Sequence, residues 1–426
     1  MDTCQILHRE LKGSVDFFLN YTNLNPESKG FGLTADSTKK HGVASIAAVG
    51  FALSGWVIAV ERGFLSRHRA LEICRGTLQT LLHHASHHRG FFAHFLDMET
   101  SERIHKCEFS TIDTSLCLNG VITAAAYFQD AELQQMAEQL LQRVDWNFIV
   151  FEKGEKTLFR MAYNPNKGGD YVTGDPGYIY QWDMAAEQKM MYFLAAASVE
   201  PSTAKALYNG FSRDIGYCDG QAIIMNPGGN LFAYQFSEAW LDTRRYLSPD
   251  GVDWFNNSRL AALANRSFCM EHSDKYKTYH AYSWGLSAGD SPRGYRVFGA
   301  PPCLGQPYHD GTVSIYSAVA SLPFIPDETL GLVDYLYHKQ PKTWGAYGFT
   351  DAYNLSFDPA WYSRSIYGID KGCSMIMIEN YLSNLIWETY TGSPYIQKAL
   401  AVIGFEQRKG ENDDIFFCKR RTILAE

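Results

Sequence analysis

Apolar residues recur at helical spacing along most of the chain, and the predicted helices alternate between two kinds. Amphipathic helices, with one apolar and one polar face, are predicted at residues 3–21, 66–86, 130–147, 202–211 and 327–338. Helices that are apolar around most of their circumference are predicted at 43–62, 111–128, 182–198, 312–322 and 374–391. Two more are predicted at 254–272 and 394–403, and Gly404 stops the second. A helix without a polar face must be enclosed by other helices.

An apolar helix followed by an amphipathic one, repeated about six times, is typical of a ring of helical hairpins. The inner helix touches its neighbours and the outer ring, whereas the outer helix keeps one face in water. We therefore predict an all-α fold, an (α/α)6 toroid, in a single domain at 1–410 with a C-terminal tail at 411–426. The length of 426 residues by itself also allows two domains.

The connections between helices are rich in glycine, proline and aromatic residues, and we expect them to form the functional surface at one end of the ring. They span 90–97, 164–182, 225–242, 280–302 and 344–354. Short strands are predicted within 148–162, where FIVF and TLFRMA flank a GEK turn.

The amino-acid composition of the chain indicates which kinds of ligand it binds. The formal net charge is −8 and no basic run occurs, which argues against nucleic acid because phosphate binding needs clustered lysine and arginine. Aromatic residues make up 14% of the chain, which favours a ligand with flat apolar faces, such as a sugar. Large proteins also use aromatic residues as core filler, so composition alone leaves both interpretations open.

The sequence also bears on location. Nine scattered cysteines without a CxxC predict reduced thiols, with neither a zinc site nor a disulfide framework. No apolar signal segment begins the chain, so we predict a cytoplasmic protein, or a periplasmic one if an export signal has been removed. Residues 43–60 lack charges but contain serine and glycine, and a buried helix is favoured there over a membrane span.

Asp370 lies just before the apolar helix that follows Gly372. Free backbone N–H groups and the positive end of the helix dipole favour an anion there, and Lys371 adds a cation. Asp370 is therefore predicted to stay ionised at neutral pH, which suits a general base. The alternative interpretation is an N-cap aspartate that serves only the helix.

Glu187 lies on the predicted apolar helix 182–198. A carboxyl group in apolar surroundings has a pKa above its usual value of about 4.3, so Glu187 is predicted to be protonated and able to donate. The alternative is an exposed glutamate on a polar stripe with Lys189. A protonated and an ionised carboxyl group would divide the work of a glycosidase, in which an acid protonates the leaving oxygen and a base activates water.

Other acids are candidates for substrate contacts. Glu108 and Asp113 lie at the start of the predicted inner helix 111–128, where Asp113 is expected to face the centre of the ring. Asp351 lies in an aromatic loop and is the best substitute for Asp370.

Asp242 is followed by Arg244 and Arg245, and a structural salt bridge is the favoured interpretation for it. Asp310 resembles a turn residue, and the neighbouring His309 could hydrogen-bond a hydroxyl group. A histidine cluster could bind metal, but no carboxylate accompanies it, so an exposed helix end is favoured and no metal site is predicted. Its members are His83, His84, His87 and His88.

Several sequence blocks form a recognisable series. They are GFFAHFLD, EFSTIDTSL, W-D-x-x-x-E-x-x-M-x-Y-x-L-A, QFSEAWLD, SWGLSAGDSPRGY, HDGTVSIYSAVASLPFIP, WGAYGFTDAYN and IDKGCSMIMIENYLSNLIW. Their joint order resembles that of a bacterial glycoamylase-like family that includes the endo-β-1,2-glucanases, over roughly residues 40–406. The resemblance implies an (α/α)6 fold and the hydrolysis of β-1,2-glucan by an inverting mechanism.

By the same resemblance, Glu187 matches the family's catalytic glutamate in its W…E-A-M motif, and Asp370 matches the aspartate of its D-Q-G motif. The chain departs from these motifs at two positions, with Gln188 in place of a small residue and Lys371 in place of glutamine. Aromatic candidates for contacts with glucose units are Trp182, Trp240, Trp284, Tyr295, His309, Trp344 and Tyr367, and about half of them are expected to be core residues instead.

The function predicted from the sequence is that of a glycoside hydrolase that cleaves β-1,2-glucan, endo-acting, with Glu187 as acid and Asp370 as base and without metal or organic cofactor. Two other enzymes fit the same site: an exo-acting hydrolase that releases sophorose, and a β-1,2-glucan transglycosylase. The alternative outside catalysis is a carbohydrate-binding toroid whose carboxylates only cap helices.

Overall fold

The computed structural model describes residues 1–167 and 175–408, so the predicted tail 411–426 lies outside the described residues. Within these ranges the chain is mostly helical. The α-helices are α1 (Thr3–Tyr21), α2 (Ile46–Glu61), α3 (Arg67–His83), α4 (Thr111–Phe128), α5 (Ala131–Arg143), α6 (Lys189–Ala196), α7 (Pro201–Gly210), α8 (Phe232–Trp240), α9 (Trp254–Glu271), α10 (Ile315–Ala320), α11 (Pro326–Lys339), α12 (Gly368–Ser383), α13 (Leu385–Thr391) and α14 (Pro394–Ile403).

Short antiparallel strands accompany the helices, so the all-α prediction is corrected to a mostly helical fold with small sheets. The strands are β1 (Val43–Ser45), β2 (His87–His88), β3 (Phe91–Phe92), β4 (Phe95–Asp97), β5 (Phe109–Ser110), β6 (Val150–Lys153), β7 (Lys156–Tyr163), β8 (Tyr178–Gln181), β9 (Ile215–Cys218), β10 (Gln221–Ile224), β11 (Tyr246–Leu247), β12 (Ala288–Gly289), β13 (Arg296–Val297), β14 (Val313–Ser314), β15 (Trp344–Gly345), β16 (Gly348–Phe349), β17 (Ala352–Asn354), β18 (Trp361–Tyr362) and β19 (Glu406–Gln407). Strands β5, β7, β6 and β8 form a four-stranded sheet, and β14, β17 and β18 a three-stranded one. The hairpin predicted within 148–162 is confirmed as β6 and β7.

Several helices match the prediction because their caps are clear in the sequence. Helix α4 has the predicted bounds, and the Ser110 side chain accepts a hydrogen bond from the backbone N–H of Asp113. Helix α3 begins after the predicted Ser66 cap. Helix α6 covers only the second half of the predicted 182–198, so Glu187 lies in the turn before it. Helix α8 lies in a segment that was predicted to be a connection.

The predicted helix 374–391 is two helices in the structure. Helix α12 begins six residues earlier, at Gly368, and ends at Ser383, and the next residue, Asn384, has a left-handed φ of 60°. Gly372 is inside α12 because it is a contact point: a Cβ atom there would lie 2.4 Å from the Phe51 side chain of α2. The glycine that looked like a helix boundary therefore lets two helices approach each other.

The apolar helices pack on one another and the amphipathic ones cover them. Helix α2 lies between α4 and α12, and α12 also contacts α8 and α10. Helices α3 and α5 pack together outside α2 and α4, and α1 packs outside α12 against α11. In the described ranges, no helix combines the length and the apolar character that a membrane crossing requires.

Main-chain hydrogen bonds bring the starts of several apolar helices to one end of the molecule. The N–H of Ile46, the first residue of α2, donates to the carbonyl of His94 (3.1 Å), and the N–H of His94 donates to the carbonyl of Glu108 just before α4 (3.0 Å). The N–H of Gly368, the first residue of α12, donates to the carbonyl of Asp36 (2.9 Å). The N–H of Asp36 in turn donates to Val43, just before α2 (2.8 Å).

Helix α10 starts at the same end. The N–H of its first residue, Ile315, donates to the carbonyl of Asp351 (2.8 Å), and the N–H of Asp351 donates to the carbonyl of Ser365, close to the start of α12 (3.1 Å). The N-terminal ends of these helices therefore form one surface, and the positive ends of their dipoles point toward it.

Candidate active site

Asp370 lies in the first turn of α12 and is 1% exposed. The Tyr295 hydroxyl donates to both of its carboxyl oxygens, at 3.0 Å each. The residue that precedes the helix is Tyr367, and no side chain caps this helix. The interpretation of Asp370 as an N-cap is therefore wrong.

Lys371 points away from Asp370. Its Nζ atom donates to the Glu10 carboxylate and to the carbonyl of Phe349 (2.9 Å), and both charged side chains are buried. The prediction that Lys371 would stabilise an ionised Asp370 is wrong, because one step along a helix turns the side chain by about 100°.

The sequence predicted a cation, Lys371, beside the Asp370 carboxyl group, but the structure has a second carboxyl group near it. This is Asp351, which is itself buried and whose charge acts on Asp370. Burial raises the pKa of Asp370 well above its usual value, and the charge of Asp351 raises it further. Burial also raises the pKa of Asp351, to about 6. The prediction that Asp370 is ionised on its own is therefore wrong: burial and the second carboxyl group outweigh the helix dipole.

Among the residues that the structure describes, no cation lies beside Glu187 either. Burial raises its pKa to about 7, and the negative charge of Asp113 adds to the rise. The predicted direction is confirmed. Lys189 is buried and pairs with Glu238 of α8 (3.1 Å), so the alternative in which Glu187 and Lys189 share an exposed stripe is wrong. Ser237 holds the turn in place, because its Oγ donates to the Glu187 carbonyl (2.6 Å).

The predicted pair Glu108 and Asp113 is organised by His94, which sequence reasoning missed. Its Nδ1 lies 2.8 Å from a Glu108 carboxyl oxygen, and its Nε2 lies 3.7 Å from an Asp113 oxygen. Burial alone would lower the pKa of His94, but Asp113 and Glu108 raise it to about 9. His94 is therefore a cation at neutral pH. A histidine in an aromatic segment shortly before two acids was the available signal.

Asp36 connects the two groups of acids. Its charge contributes to the raised pKa of His94 and to the raised pKa of Tyr367, the residue before α12. Tyr367 in turn senses the charges of Asp351 and Asp370, and Asp113 acts on Glu187. The acids near Glu187 and those near Asp370 are thus linked electrostatically through the charge of Asp36.

Two of the predicted aromatic residues lie at this region. The Tyr295 ring is 39% exposed although its hydroxyl reaches Asp370, and its centre lies 4.6 Å from the Tyr367 ring. The Lys39 ammonium group lies 5.8 Å from the Tyr367 ring centre and pairs with the buried Asp290 (2.9 Å). The two tyrosine rings and the Lys39–Asp290 ion pair therefore line one side of the group of acids.

The three tryptophans Trp182, Trp240 and Trp284 are core residues, which corrects their prediction as sugar platforms. They are 5%, 0% and 0% exposed, so no ring face is free for a sugar. The Trp240 indole donates to Ser54 Oγ (2.9 Å), and that of Trp182 donates to Thr111 Oγ1 (3.2 Å).

The remaining candidates also lie elsewhere. Asp242 follows the C-terminal end of α8 and is bound by Arg244 (2.8 Å), so the structural salt bridge is the correct interpretation. Trp344 is half-buried against Phe349. His309 packs among aromatic rings, namely those of Phe268, His272, Tyr276 and Tyr279.

Metal ligands and disulfides were also predicted to be missing. Within 1–167 and 175–408, no group of three or more His, Cys, Asp and Glu side chains is placed to hold a metal ion. The cysteines of the same ranges form no disulfide with one another.

Fold and site together define a mostly helical protein with acids gathered at the N-terminal ends of its apolar helices. The glycoamylase family model, described as "Putative glucoamylase", matches residues 179–394, about half of the chain. The chain belongs to the glycoamylase family.

One curated relative is the exo β-1,2-glucooligosaccharide sophorohydrolase (non-reducing end) of Parabacteroides distasonis. It is 25% identical over 391 residues, which cover 84% of this chain and 52% of that protein. The chain thus spans about half the length of the curated relative it matches.

Solved structures share the fold. The endo-β-1,2-glucanase from Chitinophaga pinensis has a TM-score of 0.80 at 23% identity, covering 96% of this chain and 99% of that one. A β-1,2-glucanase from Parabacteroides distasonis has a TM-score of 0.81 at 22% identity, covering 95% of this chain and 60% of that one.

Proposed function

We propose that this protein hydrolyses β-1,2-linked glucan, with Glu187 as general acid and Asp370 as general base. The observation that carries the proposal is that no cation of the described residues lies beside the carboxyl group of the buried Asp370 or of the partly buried Glu187. Burying an unpaired carboxyl group destabilises a protein, so such groups are concentrated where their proton exchange is used.

The chemistry follows from the two environments. Glu187, with a pKa raised to about 7, donates its proton to the leaving glycosidic oxygen. The ionised carboxylate of Asp370 accepts a proton from water. The oxygen of that water attacks the anomeric carbon as the glycosidic bond breaks. Attack from the face opposite the leaving group inverts the configuration at that carbon.

The proposed scaffold is a closed (α/α)6 ring with α2, α4, α6, α8, α10 and α12 inside. It is supported by the contacts of α2 with α4, of α4 with α6, of α8 with α10, of α10 with α12 and of α12 with α2. Between α6 and α8, the N–H of Met190 donates to Ser237 Oγ (3.2 Å). A ring of parallel inner helices places all their N-terminal ends around one opening.

The substrate assignment is supported by the names of the relatives. A glucan of neutral sugars also agrees with a net charge of −8 and an aromatic wall at Tyr295 and Tyr367. Endo-action is the first candidate. Exo-action with release of sophorose is the second, and it is favoured by the name of the curated relative from Parabacteroides distasonis.

The test is reducing-sugar release from β-1,2-, β-1,3-, β-1,4- and α-1,4-glucans, with Glu187→Gln as the control. We expect release from the β-1,2-glucan alone. Chromatography of the products separates the candidates: a ladder indicates endo-action, a single disaccharide exo-action, and redistributed chain lengths transglycosylation. Binding of β-1,2-glucan without any release would support the carbohydrate-binding alternative and reject the proposal.

A further inference from the structure

A cavity beside the group of acids has no part in the proposed chemistry, and we call it the side cavity. Its volume is about 740 Å³, within the ~300–1,000 Å³ that is usual for small-molecule sites. Its lining includes Lys39, Asp290, Lys342, Trp361, Tyr362 and Arg364. A cavity of this size can hold a monosaccharide unit.

The side cavity adjoins the acids through the connection between β12 and β13. Asp290, at the start of this connection, lines the cavity, and Tyr295, at its end, donates to Asp370 (3.0 Å). Lys39 also belongs to both places, because it lines the cavity and its ammonium group lies 5.8 Å from the centre of the Tyr367 ring. A chain of sugars that is bound at the acids can therefore extend into the side cavity.

Buried polar groups fix one part of the lining. Asp290 is 1% exposed and accepts hydrogen bonds from the Lys39 ammonium group (2.9 and 3.0 Å) and from the Ser363 hydroxyl (2.7 Å). The backbone N–H of Asp290 donates to Asp351 (2.5 Å), so the same residue is tied to the acids. An ammonium group has three N–H donors, and the two bonds to Asp290 leave one for a hydroxyl group of a ligand. These polar groups are therefore in place before a ligand binds, which reduces the entropy lost on binding.

Trp361 gives the side cavity an apolar surface, and it differs from the other tryptophans of the chain. All of them except Trp344 and Trp361 are buried, and Trp344 packs against Tyr337 and Phe349. Trp361 is partly exposed on the edge strand β18. Within 1–167 and 175–408 its indole N–H has no hydrogen-bond partner and its ring has no aromatic neighbour. The apolar C–H face of a pyranose ring can pack on such an indole.

Lys342 and Arg364 add further hydrogen-bond donors to the lining. Both are exposed, and neither belongs to an ion pair in the part of the chain that the structure describes. The Lys342 ammonium group lies 5.5 Å from the centre of the Tyr362 ring. One apolar ring together with several donors fits a neutral sugar, which has an apolar face and hydroxyl groups around its edge. An anion would use the donors but not the indole.

We propose that the side cavity binds a glucose unit of the glucan away from the bond that is cleaved, and that Trp361 thereby sets a preference for long chains. This inference rests on the proposed function. Binding energy from a remote part of a substrate can stabilise the transition state relative to free enzyme and substrate. A long chain reaches the side cavity and gains this energy, whereas a short chain bound at the acids does not.

The first test is Trp361→Ala, with initial rates of reducing-sugar release as the measurement. We expect kcat/KM for a long β-1,2-glucan to fall about fivefold, because one stacking contact is lost, and that for the β-1,2-linked trisaccharide to change by less than about twofold. Trp344→Ala, which removes the other tryptophan that is not buried, is the matched control and should leave the ratio of the two values unchanged. An unchanged value for the long glucan, or an equal loss with both substrates, would overturn the inference and leave the proposed function intact.

The second test needs no turnover and decides the case if Trp361→Ala does not fold. Tryptophan fluorescence is followed while Glu187→Gln is titrated with long β-1,2-glucan. We expect a change in emission that Glu187→Gln/Trp361→Phe lacks, although the phenylalanine ring retains part of the affinity in calorimetry. The same change in both variants, or no change in either, would overturn the inference.

Two further outcomes of this titration separate the inference from the proposed function. A change that depends on Trp361, in a protein whose wild type hydrolyses no glucan, would support the binding site and reject the proposed function. A change caused by inorganic phosphate and by no glucan would assign the side cavity to an anion and overturn the inference.

Discussion

Two buried lysines lie beside the candidate acids in the sequence, and both pair with other carboxylates. Lys371 follows Asp370 directly but binds Glu10, and Lys189 lies two residues after Glu187 but binds Glu238. Glu10 and Glu238 are thus buried with a cation, whereas no cation of the described residues lies beside the buried Asp370 or the partly buried Glu187. The first two acids have a lysine as partner, and the other two have a further carboxyl group near them, that of Asp113 or Asp351.

The difference separates carboxylates that support the fold from carboxyl groups that exchange protons. A lysine at hydrogen-bonding distance stabilises the charged form of a carboxylate and opposes burial, as Lys189 does for Glu238, although burial still raises the pKa of Glu238. Keeping the lysine away leaves the pKa of Glu187 at about 7, where a small change of pH or of surroundings moves the proton. The paired glutamates serve as internal controls for the unpaired acids.

The largest expected effect is on catalysis. Glu187→Gln and Asp370→Asn should each lower kcat by about 10²–10⁴-fold, because general acid–base catalysis contributes that much. The midpoint of thermal unfolding should stay or rise, because a buried unpaired carboxyl group is removed. Initial rates of reducing-sugar release and thermal unfolding scans measure both. Near-full activity in either variant would reject that residue's role.

The paired glutamates should show the opposite behaviour. Glu10→Gln leaves Lys371 buried and unpaired, so the free energy of unfolding should fall by about 3–5 kcal/mol. Urea unfolding measures the change, and Glu10→Gln/Lys371→Met should recover part of it. Stability equal to that of the wild type would mean that the two classes of buried acid do not differ.

The pH dependence of stability sharpens the comparison. The pKa of Glu187 is about 7 in the folded chain and near 4.5 when unfolded, so the folded state holds the proton longer. Its contribution is present at low pH and is lost as pH rises through 7. Between pH 5 and 7 the wild type should lose roughly 2 kcal/mol relative to Glu187→Gln. Parallel urea titrations at both pH values test this, and a constant difference would contradict it.

The smallest expected effect concerns Tyr295. Its hydroxyl lowers the pKa of Asp370 by donating to it, so Tyr295→Phe should move the acid limb of the pH–rate profile up by about one pH unit. Tyr337→Phe, which loses a hydroxyl that bonds Arg9, is the control that should leave the limb in place.

The sequence predicted the elements whose signals are local. Helix α4 was correct to the residue because the Ser110 cap and a continuous apolar run mark it. Helix α8 was missed because Pro227, Gly228 and Gly229 just before it are typical of a loop. The start of α12 was missed because Gly372 resembles a helix boundary when its contact with α2 is unknown.

For the site, the sequence pointed to Glu187 and Asp370 but not to their surroundings. The partner of Lys371 is 361 residues away in the chain, so no local pattern shows which way the lysine turns. The approach of Asp351 to Asp370 likewise depends on contacts between segments, such as the hydrogen bond from the N–H of Asp351 to the carbonyl of Ser365 (3.1 Å). Environment, more than residue type, decides which acid keeps its proton, and environment is a property of the folded chain.

The approach of α2 to α4 gives two residues without functional groups control over the chemistry. A Cβ atom at Gly50 would lie 2.1 Å from the carbonyl oxygen of Leu116, and one at Gly120 would lie 2.1 Å from the carbonyl oxygen of Gly50. Because neither glycine has a side chain, the contact between the two main chains sets the distance between α2 and α4. Asp113 lies on α4, and Asp36 is hydrogen-bonded to the segment just before α2. An added methyl group at Gly50 or Gly120 would therefore shift Asp113 and Asp36, although it would contact neither of them.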